Sequence, residues 1–128
     1  MPSKPAILVV DDDPILREIA SQMLAAHGYG CRLAEDGEIA LAALRSAPAD
    51  LVVLDMIMPN KEGIETLREI KREWPHIAVL MISAGTRAMA APSLLSMAMA
   101  LGADAVIEKP LYEETFIAAV RRALKEPA

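Results

Sequence analysis

Short apolar runs without polar interruption recur along the chain, and most of them end at a polar or charged residue. The runs are 7–10, which is followed by Asp11, Asp12 and Asp13; 51–54, followed by Asp55; 77–82, followed by Ser83; and 105–107, followed by Glu108, Lys109 and Pro110. Continuous aliphatic and β-branched runs of this length are typical of strands buried on both faces of a parallel sheet. A further short strand is predicted over residues 29–34.

Helical spacing fills the segments between these strands. In the first segment Asp13 can cap a helix that has Pro14 at its first position. The apolar stripe of that helix consists of Leu16, Ile19, Ala20, Met23 and Leu24. Further helices are predicted from about 37 to 46, 64 to 74, 93 to 101 and 113 to 125. Gly28 supplies a left-handed cap for the first helix, and Gly102 closes the fourth. Five strands that alternate with five helices predict a doubly wound α/β fold around a parallel sheet.

Length and composition favour one globular domain. The chain has 128 residues, of which 54% are hydrophobic and 24% are charged, so it can bury a real core and is not expected to be disordered. Because only 3% of the residues are aromatic, the core must be largely aliphatic. No linker, repeat or low-complexity run is visible. We therefore expect a single domain over residues 1–128, without a separate output domain.

Charge and cysteine content narrow the expected partners and compartment. The formal net charge of −5 argues against nucleic acid as a direct partner, since phosphate binding needs a basic surface. Cys31 is the single cysteine, so no internal disulfide can form and a reducing compartment is expected. No apolar stretch approaches the roughly 18 residues of a membrane span, and the N-terminus lacks a signal-peptide pattern. We expect a cytoplasmic protein that does not enter the membrane.

The polar residues at the strand ends predict a charged site. In an open parallel sheet the ligand crevice lies at the carboxyl ends of the strands. Carboxylates gathered there repel one another unless a cation lies among them, and that cation could be a divalent metal, Lys109, or both. A donor set made only of oxygen suits Mg²⁺. The two histidines, His27 and His76, stand at a helix end and before a strand, so neither is expected to be a ligand.

A magnesium site with an ammonium and a hydroxyl nearby is suited to phosphate chemistry. The nucleophile could be a substrate group, water or a carboxylate of the protein. Asp55 follows apolar Leu54 and precedes Met56, and it is the best candidate for a covalent acyl phosphate. A lone aspartate or serine after a strand is often only a cap, but here four strands end in groups that the same chemistry needs.

These residues resemble a known family. The segments ILVVDDDP, DLVVLDMIMPNKEG, VLMISAG and EKP occur in the order typical of receiver domains of two-component response regulators. The resemblance covers essentially the whole chain. It implies a flavodoxin-like (βα)₅ fold with five parallel strands in the order 2-1-3-4-5.

The resemblance also implies a role for each site residue. Asp55 would accept a phosphoryl group from a sensor histidine kinase or a histidine phosphotransfer protein, and the chain would then switch its binding to an unknown downstream protein. The implied site consists of Asp11, Asp12, Asp55 and the carbonyl of Ile57 as Mg²⁺ ligands, Ser83 as a hydrogen-bond donor to the phosphoryl group, Lys109 as its ion-pair partner, and a cis bond between Lys109 and Pro110. Asp13 would be only the helix cap.

Several positions depart from the family pattern. Val106 stands where an aromatic residue is common, so switching through an aromatic rotamer is in doubt. Ile57 and Gly85 carry no group that could orient an attacking water, which predicts slow self-dephosphorylation. The interval from Ser83 to Lys109 is a few residues longer than usual, and the extra length falls around 86–92.

Two other functions compete with phosphoryl acceptance. A phosphatase with an aspartyl intermediate would need a second carboxylate two residues after the nucleophile, where this chain has Ile57. A receiver-like module that binds proteins without phosphate would need an incomplete site. We therefore expect a phosphoacceptor signalling domain and not an enzyme.

Overall fold

The computed structural model describes residues 4–56, 63–84 and 91–126. Strands and helices alternate throughout these residues, as the sequence pattern predicts. The elements are β1 (Ala6–Val10), α1 (Pro14–Ala26), β2 (Gly30–Ala34), α2 (Gly37–Ser46), β3 (Leu51–Asp55), α3 (Gly63–Glu73), β4 (Ala78–Ser83), α4 (Ala91–Ala100), β5 (Ala105–Glu108) and α5 (Glu113–Ala123).

The strands form one parallel sheet in the order β2-β1-β3-β4-β5. This order confirms the prediction of a doubly wound, flavodoxin-like α/β fold. The chain runs outward from β1 to β2, returns to β3 and then continues to β5, so the order reverses between β1 and β3. That reversal opens a crevice at the carboxyl ends of those two strands. The register places Val10 beside Leu54 and Asp55 beside Ile82, so the strands end at nearly the same level.

Two hydrophobic layers cover the faces of the sheet. Side chains alternate between faces along a strand, so Leu8 and Val10 point to one layer, while Ile7 and Val9 point to the other. Helices α2, α3 and α4 close the first layer, and α1 and α5 close the second. Among the described residues, no helix combines the length and the apolar character that crossing a membrane would require.

Several predicted boundaries shift by one or two residues. Strand β2 begins at Gly30, whose N–H donates to the carbonyl of Pro5, and not at Tyr29. Tyr29 is buried instead, and its hydroxyl donates to Glu126 at 2.8 Å. Helix α4 begins at Ala91, two residues before the predicted start. The predicted caps are present, with Asp13 accepting from the N–H of Ile15 and with positive φ at Gly28 and Gly102.

One member of the predicted apolar stripe of α1 does not face the core. Ala20 and Leu24 are fully buried, but Ile19 is 43% exposed and Ile15 is 69% exposed. Helix α5 shares this face of the sheet, so α1 buries only the narrower part of its apolar stripe. Ile19 and Ile15 instead line a surface groove together with Pro110 and Leu111. Of the predicted apolar stripe, Ile19 therefore lies on the exposed edge of the helix.

Candidate functional site

Three strand ends bring buried polar side chains to one edge of the sheet. Asp11 follows β1 directly and donates its N–H to the carbonyl of Ala34, which extends the pairing of β1 with β2. Asp55 is the last residue of β3, and Ser83 is the last residue of β4. All three are buried, with Asp11 at 0% and Asp55 at 4% exposure. Parallel strands of matched register account for this convergence.

Asp11, Asp12 and Asp55 form an acidic cluster in which one carboxylate oxygen from each lies within 4.8 Å of the others. Asp12 is exposed, so the cluster opens to solvent on one side. The Nζ atom of Lys109 lies 3.1 Å from Oδ2 of Asp11 and 3.4 Å from Oδ2 of Asp55. The structure thus brings together the predicted carboxylates and the predicted ammonium.

The cluster has the donor chemistry of a hard divalent cation. It supplies oxygen atoms alone, which is the set that Mg²⁺ prefers. Oδ2 of Asp11 is buried and receives no hydrogen bond from the described residues. Its 3.1 Å contact with Lys109 is an ion pair without hydrogen-bond geometry. A buried carboxylate oxygen in this state can accept a cation, so the residues fit Mg²⁺.

The backbone beside Ser83 positions Lys109. The N–H of Lys109 donates to the carbonyl of Ser83 at 3.0 Å, one step beyond the pairing of Ser83 with Glu108. The peptide bond between Lys109 and Pro110 is cis, as predicted. Burial by itself lowers the pKa of Lys109, but Asp55 and Asp11 outweigh it and raise that pKa above its ordinary value. Lys109 is therefore a stable cation between two carboxylates.

Asp13 has the capping role that was expected for it. Its Oδ1 accepts from the N–H of Ile15 at the start of α1, and it is not a member of the acidic cluster. Its own N–H donates to Oδ1 of Asp11 at 2.9 Å. The second carboxylate oxygen of Asp11 is then the one directed toward Lys109.

Some predicted features lie outside the residues that the structure describes. Ile57, whose carbonyl was expected to bind Mg²⁺, falls in the segment 57–62, and Gly85 falls in 85–90. The predicted slow self-dephosphorylation stays a prediction, and most of the extra length predicted around 86–92 lies outside the described residues. Val106, in place of an aromatic residue, is half-buried and packs against the core layer closed by α4.

The other candidate ligands lie away from the acidic cluster. His27 follows α1 and lies 3.7 Å from the carboxylate of Glu113. His76 lines a different groove, beside Lys71 and Asp104. Cys31 is half-buried in β2, and burial raises the pKa of its thiol. None of these three residues belongs to the acidic cluster of Asp11, Asp12 and Asp55.

Three features of the site were missed by reasoning from the sequence. Arg17 donates from Nη1 to the carbonyl of Asp11 at 2.7 Å, and nothing in its spacing indicated this contact. Gly63 packs directly on the backbone of Asp55 and Met56, one residue before the predicted start of the helix over 64–74. The pair Ile15 and Ile19 has the i, i+4 spacing of one helix face, and that signal could have revealed the exposed groove.

Curated relatives of the chain are response regulators. Probable transcriptional regulatory protein TcrX of Mycobacterium tuberculosis is 33% identical over 119 residues, which are 93% of this chain and 49% of TcrX. DNA-binding response regulator MtrA of Mycolicibacterium smegmatis is 33% identical over 126 residues, which are 95% of this chain and 53% of MtrA. The chain thus spans about half the length of the curated relatives it matches.

Solved structures agree in fold, and the family model agrees in sequence. The receiver domain of NtrX from Brucella abortus has a TM-score of 0.86 and 35% identity, with coverage of 93% of this chain and 98% of that one. Chemotaxis protein CheY4 of Vibrio cholerae has a TM-score of 0.84 and 28% identity, with coverage of 94% and 99%. The model of the response regulator receiver domain matches residues 7–121. The chain belongs to the response regulator receiver domain family.

Proposed function

We propose that Asp55 accepts a phosphoryl group from a phosphohistidine of a sensor histidine kinase or a histidine phosphotransfer protein. The observation that carries this proposal is the placement of a buried Asp55 carboxylate 3.4 Å from the Lys109 ammonium, within an acidic cluster suited to Mg²⁺. Family membership supports the same function. The proposed location of this chemistry is the cytoplasm.

The transfer needs one carboxylate oxygen as nucleophile. An oxygen of Asp55 forms a bond to phosphorus while the bond between phosphorus and the donor imidazole nitrogen breaks, and the electron pair of that bond stays on the nitrogen. Lys109 offers its ammonium to the phosphoryl oxygens, and Ser83 offers its hydroxyl as a hydrogen-bond donor. Strand pairing and the hydrogen bond from the N–H of Lys109 to the carbonyl of Ser83 hold the backbone of both residues beside the site, and their side chains can close on the phosphoryl group.

Asp11, Asp12 and Asp55 are the residues that would hold Mg²⁺, with the carbonyl of Ile57 as a further proposed ligand. When bound, Mg²⁺ supplies positive charge against which the phosphoryl oxygens are neutralised. The protein fixes the position of the Asp11 carboxylate, because Asp11 is fully buried and the N–H of Asp13 donates to its Oδ1.

A covalent phosphoryl group gives the chain a way to switch. Its new oxygens favour the conformations in which Ser83 and Lys109 contact them, and the population shifts toward those conformations. The downstream protein binds the favoured state. The prediction that nucleic acid is not a direct partner remains a prediction, because the relative MtrA is described as DNA-binding and extends well beyond the matched region.

The acceptor assignment is tested by labelling with acetyl phosphate and Mg²⁺, followed by intact-mass spectrometry. The wild-type chain gains one phosphoryl group, and Asp55→Asn gains none because the nucleophilic oxygen is replaced by an amide. Chelation of Mg²⁺ by EDTA also abolishes the gain. Asp36→Asn is the matched control, since Asp36 is a buried helix cap whose role asparagine can keep. Full labelling of Asp55→Asn would overturn the proposal.

An exposed apolar groove beside the site is suited to the phosphodonor protein. The groove has a volume of about 370 Å³ and is lined by Asp13, Ile15, Leu16, Ile19, Ala84, Lys109, Pro110 and Leu111. Ala84 directly follows Ser83, and Lys109 belongs to the site, so the groove and the site are continuous. Asp55 is buried, so a donor must bring its imidazole in from the solvent side of the acidic cluster, and Lys109 places the groove next to that side. We assign the groove to a helix of the donor protein that carries the phosphohistidine.

Substitution in this groove separates donor docking from chemistry. Ile19→Ser is expected to slow phosphotransfer from a histidine phosphotransfer protein about tenfold, because apolar contact area is lost, while labelling by acetyl phosphate stays unchanged. Leu33→Ser is the matched control, since Leu33 and Ile19 are both 43% exposed but Leu33 lies outside the groove. Equal effects of the two variants on protein-dependent transfer would contradict the docking assignment.

The competing function is a protein-binding module that works without phosphate. It predicts that Asp55→Asn keeps full biological activity in cells even though it cannot be labelled. Phosphoryl acceptance predicts that this variant loses both properties. The collected carboxylates, ammonium and hydroxyl favour phosphoryl acceptance, since a module without phosphate chemistry has no need of them.

A further inference from the structure

The side chain of Arg17 reaches back from α1 to the end of β1. Its Nη1 atom donates to the main-chain carbonyl of Asp11 at 2.7 Å, which is a short, charge-assisted hydrogen bond. Arg17 is half-buried, and its own N–H donates to the carbonyl of Asp13 in the first turn of α1. The guanidinium is therefore anchored on the helix while it holds the backbone of the acidic loop.

This contact fixes the backbone from which two carboxylates of the cluster project. The loop from Asp11 to Asp13 is held at Asp13 by the cap of α1 and at Asp11 by Arg17. The N–H of Asp13 also donates to Oδ1 of Asp11, so the direction of the other oxygen, Oδ2, which faces Lys109, depends on the loop backbone. Asp12 stands between the two held residues, and its carboxylate follows the same backbone.

The charge of Arg17 cannot by itself favour a metal at this site, because a nearby positive charge repels a divalent cation. Any contribution of Arg17 to cation binding must therefore come from the geometry that it imposes on the ligands. We propose that Arg17 is a positioning residue for the cation site, acting through the Asp11 carbonyl to hold the carboxylates of Asp11 and Asp12 in binding geometry. This inference rests on the proposed function, in which the acidic cluster holds Mg²⁺.

The direction in which Arg17→Met changes the affinity for Mg²⁺ distinguishes a geometric role of Arg17 from an electrostatic one. Arg17→Met removes the donor and the charge but keeps an apolar stem. Loss of positioning is expected to weaken Mg²⁺ binding, measured by isothermal titration calorimetry, roughly tenfold or more, as for other residues that orient metal ligands. Loss of a repelling charge alone would strengthen binding. Unchanged or tighter binding by Arg17→Met would overturn the inference.

Arg32→Met is the matched control for a lost arginine clamp. Arg32 is also half-buried and donates to main-chain carbonyls, those of Ala43, Ala47 and Pro48, away from the acidic cluster. Arg32→Met is expected to keep wild-type Mg²⁺ affinity even if it lowers the stability of the fold. An equal loss of affinity in both variants would show a general stability effect and would overturn the inference.

Two further measurements make the result decisive. Arg17→Lys keeps the charge and a hydrogen-bond-donating ammonium group, and it is expected to recover part of the lost affinity. If it binds Mg²⁺ no better than Arg17→Met, the hydrogen bond to Asp11 is not the cause. Absence of Mg²⁺ binding by the wild-type chain would instead refute the cation site of the proposed function, and with it this inference. If the wild-type chain binds Mg²⁺ and Arg17→Met binds it with the same affinity, only this inference is refuted and the cation site stands.

Discussion

Lys109 makes the buried carboxylates of Asp11 and Asp55 compatible with folding. Two carboxylates in a buried crevice repel each other and lose hydration, and both effects oppose the folded state. The ammonium lies within 3.4 Å of both and offsets part of this cost. Burial by itself lowers the pKa of Lys109, but the two carboxylates outweigh this effect and raise that pKa.

This raised pKa predicts a loss of stability at alkaline pH. The Lys109 pKa is higher in the folded chain than its ordinary value of 10.5, so the ion pairs stabilise the fold fully below that pH. The contribution disappears as the pH rises through the folded-state pKa. Urea unfolding measured from pH 9 upward through the folded-state pKa of Lys109 is expected to show a smaller alkaline loss of stability for Lys109→Met than for the wild-type chain.

Lys4→Met is the control for general alkaline effects, because Lys4 is exposed and belongs to no described ion pair. It is expected to retain the wild-type dependence of stability on pH. A Lys109→Met variant with the same alkaline loss as wild type would show that Lys109 is not coupled to the carboxylates.

Sequence reasoning identified the charged groups of the site but missed Arg17. Asp11, Asp55, Ser83 and Lys109 all follow apolar runs, so their positions come from strand ends alone. The partner of Arg17 is a main-chain carbonyl, and carbonyls carry no side-chain signal in a sequence. Which carbonyl a long side chain reaches is decided by helix placement, which periodicity does not give.

Among the helices, α3 contacts the backbone of the acceptor Asp55 through Gly63, the first residue of the helix. The N–H of Gly63 donates to the carbonyl of Met56 at 2.9 Å, so α3 begins against the end of β3. A Cβ atom at Gly63 would overlap the carbonyl oxygen of Asp55 and lie 2.7 Å from Cα of Met56. Only glycine permits this approach, and the backbone of Asp55 is thereby braced by the helix.

Gly63→Ala is expected to disturb both stability and chemistry. The added methyl group must push apart the backbone of α3 and β3, which costs about 1–3 kcal/mol of unfolding free energy for overpacking. The same movement displaces Asp55, so labelling by acetyl phosphate is expected to slow. Fluorescence of Trp74, the single tryptophan, reports urea unfolding, and intact-mass spectrometry reports labelling.

Gly30→Ala provides the comparison for this prediction. A Cβ atom at Gly30 would lie 3.7 Å from the nearest atom, the carbonyl oxygen of Pro5, which is ordinary contact. Alanine also suits a strand better than glycine, so unchanged or slightly higher stability is expected. If Gly63→Ala behaves in the same way, the close packing of α3 on β3 does not constrain the acceptor.

Across the whole molecule, the parallel sheet converts separated segments into one site. Buried apolar runs predicted the strands, and alternation with helices predicted the parallel sheet that places Asp11, Asp55 and Ser83 at one edge. Periodicity predicted α1 as a whole but not the exposure of Ile19, because burial there depends on how much of the sheet α5 covers. The strand order came from family resemblance and is confirmed.

The most direct test of this account is to locate the phosphoryl group on the chain. After reaction with acetyl phosphate and Mg²⁺, borohydride reduces an acyl phosphate to an alcohol, so a phosphorylated aspartate becomes homoserine. Peptide mass spectrometry then identifies the modified position. If Asp55 is the acceptor, homoserine is expected at position 55 and at no other aspartate. Homoserine at Asp11 or Asp12, or phosphate retained on the Ser83 hydroxyl, would contradict it.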